Sequence, residues 1–134
     1  MSLTAVINEL SLEIKKENID PAEGLGDELF LVVASLTPIV NVDILIVKVG
    51  NILRSWRDDE QCGAGWHLPG GCVRLKETLE QRLHVCAKSE LGTDVLCDMK
   101  SVLITENIGP QRDRGRPHFI SFIYRCVLVN EFQL

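Results

Sequence analysis

The stretch "GWHLPGGCVRLKETLEQRLHVCAKSELG", Gly65 to Gly92, decides the fold. It joins a tight glycine turn to an amphipathic helix. Pro69, Gly70 and Gly71 interrupt short extended pieces, Thr78 to Leu91 has helical spacing, and Gly92 suits the left-handed position that closes a helix. At about 100° per residue, Leu79, Leu83 and Cys86 fall on one face and Glu90 joins them, while Glu77, Glu80, His84 and Lys88 lie away from that stripe. An acid in line with the core-facing row, near a helix C-terminus where the macrodipole disfavours negative charge, wants a cation. Periodicity leaves two readings open. Glu90 is either a helix-end charge, solvated or paired with an arginine, or a metal ligand reaching into a cleft above the Gly70-Gly71 turn.

Outward from this stretch, residues 4 to 17 carry Val6, Ile7, Leu10 and Ile14 at helical spacing, and Pro21, Gly24 and Gly26 end that pattern. "DELFLVVASL" predicts a second short helix, capped by Asp27 and stopped before Pro38. "PIVNVDILIVKV" alternates and is rich in β-branched residues, so it reads as a strand. Gly50-Asn51 is a turn signal, with "ILRSWR" returning as the partner strand. "DDEQCGAG" is a loop, "VLCDMKSVLITEN" contains a strand, "IGPQRDRGRP" is a polar loop and "HFISFIYRCVLV" a strong final strand. Strands interleaved with an amphipathic helix predict an α+β fold: one domain over 1–134, with a mixed sheet covered by helices.

The 134 residues suit a single core, and no apolar run approaches the roughly 18 residues of a membrane helix. No basic-then-apolar leader opens the chain, so no secretion signal or membrane partner is expected. A net charge of −5 argues against broad attraction to nucleic acid. Cys62, Cys72, Cys86, Cys97 and Cys126 form an odd set without a C-x-x-C pair, which predicts free thiols in a reducing cytoplasm.

Gly71, Glu77, Glu90 and Gly92 fall at the spacing of the Nudix box, G-x5-E-x7-R-E-U-x-E-E-x-G-U, and "GWHLPGG" looks like the usual approach to it. Val85 stands at the arginine of the box, and Cys86 and Ser89 at its first two metal-binding glutamates. Lacking those two glutamates is the habit of one subfamily, the GDP-mannose mannosyl hydrolases. "ETLEQRLHVCAKSELG", "DELFLVVASLTPIVNVDILIV" and "RPHFISFIYRCVLV" are similar to its box helix, first helix and long strand, and late strand. The resemblance runs from about Asp27 to the end and leaves 1–26 as an N-terminal helical extension.

The resemblance implies a Nudix-type α/β/α sandwich with the box helix packed on a mixed sheet. It also implies a cytoplasmic homodimer that hydrolyses nucleotide sugars with a divalent ion, magnesium or manganese. Water attacks the anomeric carbon, the nucleoside diphosphate leaves, and the ion assists the leaving group. Residue by residue, Glu90 matches the metal-binding carboxylate and Gly70 the glycine whose carbonyl also binds metal; both are hard oxygen ligands. Arg57 matches an arginine that helps the diphosphate depart, Asp43 an aspartate of the sugar-nucleotide site, and Phe119 a substrate-binding tyrosine whose hydroxyl is lost here.

The departures are Cys72 and Val85, where the family directs arginines at the diphosphate. Arg74 or Arg82 could compensate, and Arg82 is the expected substrate-binding residue, with a surface arginine as the plainer reading. The family's glutamine ligand and catalytic histidine follow the late strand, about where this sequence stops. His67 and His118 read as structural and His84 as solvent-side. Arg112, Arg114 and Arg116 form a basic loop that is either solvated or a lid over the diphosphate. Trp56 and Trp66 could stack a base, although core packing is the commoner fate, and Glu77 orders the turn and helix start. Two alternatives stay beside the hydrolase: a nucleotide-sugar-binding domain without catalysis, and a pyrophosphohydrolase cutting between phosphates.

Overall fold

The computed structural model describes residues 1–59, 63–109 and 117–130. Among the described residues, three α-helices, α1 (Leu3–Lys16), α2 (Asp27–Leu36) and α3 (Leu79–Leu91), accompany eight strands. The strands are β1 (Ile39–Leu45), β2 (Val47–Lys48), β3 (Asn51–Ile52), β4 (Ser55–Asp59), β5 (Gly63–His67), β6 (Gly70–Cys72), β7 (Val95–Ile108) and β8 (His118–Leu128). The main sheet has the order β6-β1-β8-β7. β1 runs parallel to β8, while β6 pairs antiparallel with β1 and β7 antiparallel with β8, which makes it the mixed sheet that was expected.

Alternation along β1 sends Val42 and Ile44 to one face, where they are fully buried against Leu83, Cys86, Ala87 and Leu91 of α3. Thr78 caps α3 in a reciprocal capping box with Gln81, and Gly92 ends it in the left-handed conformation. α2 starts from Gly26, with Asp27 inside its first turn rather than at the cap. α1 has Ser2 as its cap and no buried residue. No helix among the described residues is long and apolar enough to cross a membrane.

Three expectations are corrected. The hairpin after β1 turns at Val49-Gly50, both at positive φ, and Asn51 pairs with Lys48 inside the ladder. A two-residue hairpin turn of type I′ needs positive φ at both central positions, and here Val49 takes one of them. The returning segment does not pair along β1; β4 instead forms a separate ribbon with β5. Cys97 and Cys126 are not free thiols. They lie directly opposite in the β7–β8 register and form a disulfide, while Cys72 and Cys86 are free. Cys62 and the Arg112, Arg114 and Arg116 loop lie outside the described residues.

A β-branched residue at φ 51° works against its own Cβ. Replacing Val49 with Asn, which tolerates this region, should raise stability by about 1 kcal/mol in urea unfolding. An unchanged or lowered midpoint would refute the turn geometry.

Candidate active site

What Gly70 offers is set by the register of β6, an edge strand of the main sheet. Ile44 N–H donates to the Pro69 carbonyl at 2.7 Å, and Val73 N–H to that of Val40 at 2.9 Å. Gly70 and Cys72, opposite Asp43 and Asn41, alternate with these hydrogen-bonded positions. In an antiparallel ladder such residues turn their N–H and C=O away from the partner strand. Gly70 therefore presents both backbone groups to the open edge. No side chain fits there: a Cβ would collide with the Val42 carbonyl oxygen and lie 2.5 Å from Asp43 Oδ1.

Two side chains meet those backbone groups. Gly70 N–H donates to Glu90 Oε2 at 2.7 Å, and Arg57 Nη2 donates to the Gly70 carbonyl at 2.9 Å. The same Arg57 nitrogen donates to Glu90 Oε1 at 2.6 Å. Three residues from β4, β6 and the last turn of α3 thus close one ring, with Asp43 against it. Of the readings left open for Glu90, the arginine partner is present. The Arg57 and Glu90 side chains are 24% and 23% exposed, so the pair is partly shielded yet reachable.

This donor set also suits a metal ion. Gly70 O and Glu90 Oε1 converge on a single cationic atom, and both are the hard oxygens that magnesium and manganese take. Among the described residues no cluster of three or more His, Cys, Asp or Glu could hold a metal. An ion here would complete its shell with water and ligand phosphate, as magnesium commonly does.

Glu77 and Arg82 make a second, different pair. Arg82 Nε and Nη2 donate to the two Glu77 oxygens at 2.5 and 2.6 Å, with the side chains 7% and 14% exposed. Glu77 Oε1 also accepts from Arg74 N–H at 3.2 Å, which fastens the turn to the helix start. The Arg82 guanidinium holds the Glu77 carboxyl below its ordinary range, and Glu77 in turn raises Arg82. Arg82 is neither a surface arginine nor a free one: it is buried and already engaged.

Arg82 still lines a cavity of about 700 Å³ together with Arg57 and Arg74. Its opposite wall is Pro21, Gly24 to Asp27, and Phe30 and Val33 of α2. The segment read from sequence as a mere extension therefore supplies part of this wall. Cys72 also lines it, whereas Val85 is on the exposed side of α3. Cys86 packs under the sheet, its Sγ 3.0 Å from where a Gly71 Cβ would stand, and burial pushes its thiol up. Phe119 lies on β8 opposite Ile39, half-buried, roughly 13 Å along the strands from the Asp43 row.

His84 Nδ1 meets Asp94 Oδ1 at 2.5 Å, and Asp94 also accepts from Val95 N–H, tying α3 to the start of β7. His67 shares the Arg57 face of the β4–β5 ribbon, and its buried Nε2 has no hydrogen-bond partner among the described residues. No local sequence signal marks that placement. Trp56 and Trp66 are not core residues. They pack edge-on at 5.3 Å on the other face of the ribbon, 56% and 58% exposed.

No protein-family model matches the chain. A curated relative, the low-salt glycan biosynthesis protein Agl8 of Haloferax volcanii, is 32% identical over 80 residues, 60% of this chain and 51% of that protein. The chain thus spans about half the length of that relative. A NUDIX hydrolase from Nitrosomonas europaea superposes with a TM-score of 0.61 at 16% identity, over 72% of this chain and 62% of that one. A MutT NUDIX hydrolase from Burkholderia pseudomallei gives 0.57 at 24% identity, over 73% and 74%. The chain has the Nudix fold. Within it, the last turn of α3 and strand β6 bring Glu90 and Gly70 together although 20 positions separate them.

The Glu77 pair carries a pH signature. Its folded pKa lies below the ordinary 4.5, so the folded state binds fewer protons. Its contribution is full above the ordinary value and is lost as pH falls through the depressed one. Glu77→Ala should cost about 3 kcal/mol at neutral pH in urea unfolding, and the gap to wild type should close below about pH 4.5. A gap that stays constant into acid would contradict the ion pair.

Proposed function

We propose that this protein is a divalent-metal-dependent hydrolase of nucleotide sugars of the GDP-mannose or GDP-glucose kind. Water attacks the anomeric carbon, the bond from that carbon to the diphosphate oxygen breaks, and nucleoside diphosphate and sugar are released with inversion. The observation that carries this reading is the convergence of the Gly70 carbonyl and the Glu90 carboxylate on one cationic atom, beside Asp43 and a cavity walled by arginines. The glycan-biosynthesis name of the Haloferax relative accords with a sugar-nucleotide ligand.

Glu90 and the Gly70 carbonyl would hold magnesium or manganese. When bound, such an ion stabilises negative charge on the departing diphosphate. Arg57 lines the cavity and donates to the same diphosphate, where charge-assisted hydrogen bonds strengthen as charge develops. Asp43, held against Gly70, orients the sugar-nucleotide, and Phe119 supplies an apolar contact farther along the same sheet face. The guanidinium of Arg82 faces the cavity from its Glu77 anchor, which gives any phosphate contact a fixed direction. The resemblance places the general base that takes the water's proton after the last strand, and no residue of this sequence matches it. Attack at carbon does not require a metal-bound hydroxide, so one box carboxylate suffices and Cys86 and Ser89 are tolerated. A homodimer in the cytoplasm belongs to the same reading.

Incubation with magnesium and GDP-mannose or GDP-glucose should yield free sugar and nucleoside diphosphate, and Glu90→Gln should lower kcat by about 100-fold or more. Sugar phosphate with mononucleotide would instead indicate cleavage between phosphates. Tight binding without products would indicate a binding domain.

A further inference from the structure

The atom that fills the point between the two metal-type oxygens belongs to the protein itself. Arg57 Nη2 lies 2.9 Å from the Gly70 carbonyl and 2.6 Å from Glu90 Oε1. A magnesium or manganese ion bound to the same two oxygens needs them at about 2.1 Å, in nearly the same place. Two cations in contact with the same two oxygens would lie against each other, and at a partly shielded site repulsion between like charges is weakly screened. We propose that Arg57 is an internal stand-in for a divalent ion, and that its guanidinium must withdraw from between these two oxygens for such an ion to bind. This inference rests on the metal-dependent reading above and adds an exchange to it.

The withdrawn guanidinium has a destination, because Arg57 is also part of the wall of the 700 Å³ cavity. Arg82, on that wall, is held by Glu77 and does not compete for Glu90. The charges make the exchange directional. At rest, Glu90 and Arg57 neutralise one another, so the site costs little to keep partly buried. Exchange keeps Arg57, Glu90 and Asp43 at the site and adds the two positive charges of the ion, so the site becomes more positive by two. A diphosphate diester, with one negative charge on each phosphate, answers that gain. Metal and diphosphate thereby favour each other's binding through Arg57, as reciprocal linkage demands.

The exchange predicts that Arg57 weakens metal affinity in the absence of substrate, the reverse of what a residue that merely organises the site would do. Manganese binding to the substrate-free protein, followed by electron paramagnetic resonance, should be about tenfold tighter in Arg57→Gln than in wild type. Lys15→Ala, which removes one positive charge from α1, should match wild type. Circular dichroism checks that the Arg57 variant is folded. In wild type, the Arg57 side-chain N–H resonances should shift on adding magnesium without substrate, a readout that needs no variant. Equal or weaker manganese binding by a folded Arg57→Gln, or N–H resonances that magnesium leaves unmoved, overturns the exchange while leaving metal-dependent hydrolysis standing. No binding by any of the three proteins overturns both.

Discussion

Gly70 carries two backbone groups that no neighbouring strand accepts, and the site consists of the side chains that meet them. Its place between the hydrogen-bonded positions of an edge strand turns its N–H and C=O outward. The absence of a Cβ lets the strand press against Val42 and Asp43 closely enough to hold that register. Backbone groups left without partners in a shielded place are costly, so each must find one. Glu90 supplies an acceptor and Arg57 a donor, and those two then satisfy each other. A change at any of the three strands the other two.

Two glutamate–arginine pairs at opposite ends of α3 have separate uses, and their burial distinguishes them. Glu77–Arg82 is bidentate and nearly sealed from water, so breaking it leaves an uncompensated buried charge. It locks the turn to α3 and fixes the direction of the helix. Glu90–Arg57 is about a quarter exposed. Water can solvate its members when they part, so this pair is able to open and change partners. The rigid pair aims the helix; the looser one stands at its far end, where chemistry is possible.

Features that repeat with a helical or strand period were legible in the sequence. The stripe of Leu83 and Cys86 placed Glu90 toward the sheet, and the alternation of β1 placed Val42 and Ile44 in the core, because both follow from local geometry. Features set by long-range register were not. Nothing near Cys97 tells which residue of a strand far along the chain will stand opposite it, and the disulfide with Cys126 depends on that alone. Arg82 sits where a helical wheel allows either solvent or a buried partner, and Glu77 decided it from five positions away. The Val49-Gly50 turn overrode the stronger Gly50-Asn51 signal because pairing of Lys48 with Asn51 set the loop length. The cavity wall from Pro21 to Gly26 lies outside the resemblance, so no motif could mark it.

The end of α3 explains why a cation belongs at Glu90 whichever one it is. The last turn of a helix gathers unpaired carbonyls and the negative end of the macrodipole, and Glu90 adds a full negative charge to that field. Lys88, in the same turn, is exposed to solvent and answers the dipole only from outside. The inward side is left to Arg57, brought in from the β4–β5 ribbon, which shares no helix or main-sheet strand with Glu90. A divalent ion at the same oxygens would be drawn by the same field with twice the charge, while a guanidinium offers planar hydrogen bonds that better fit phosphate. Each cation is then better served by the other arrangement once a diphosphate is present, and the sequence needs only one carboxylate to accommodate both.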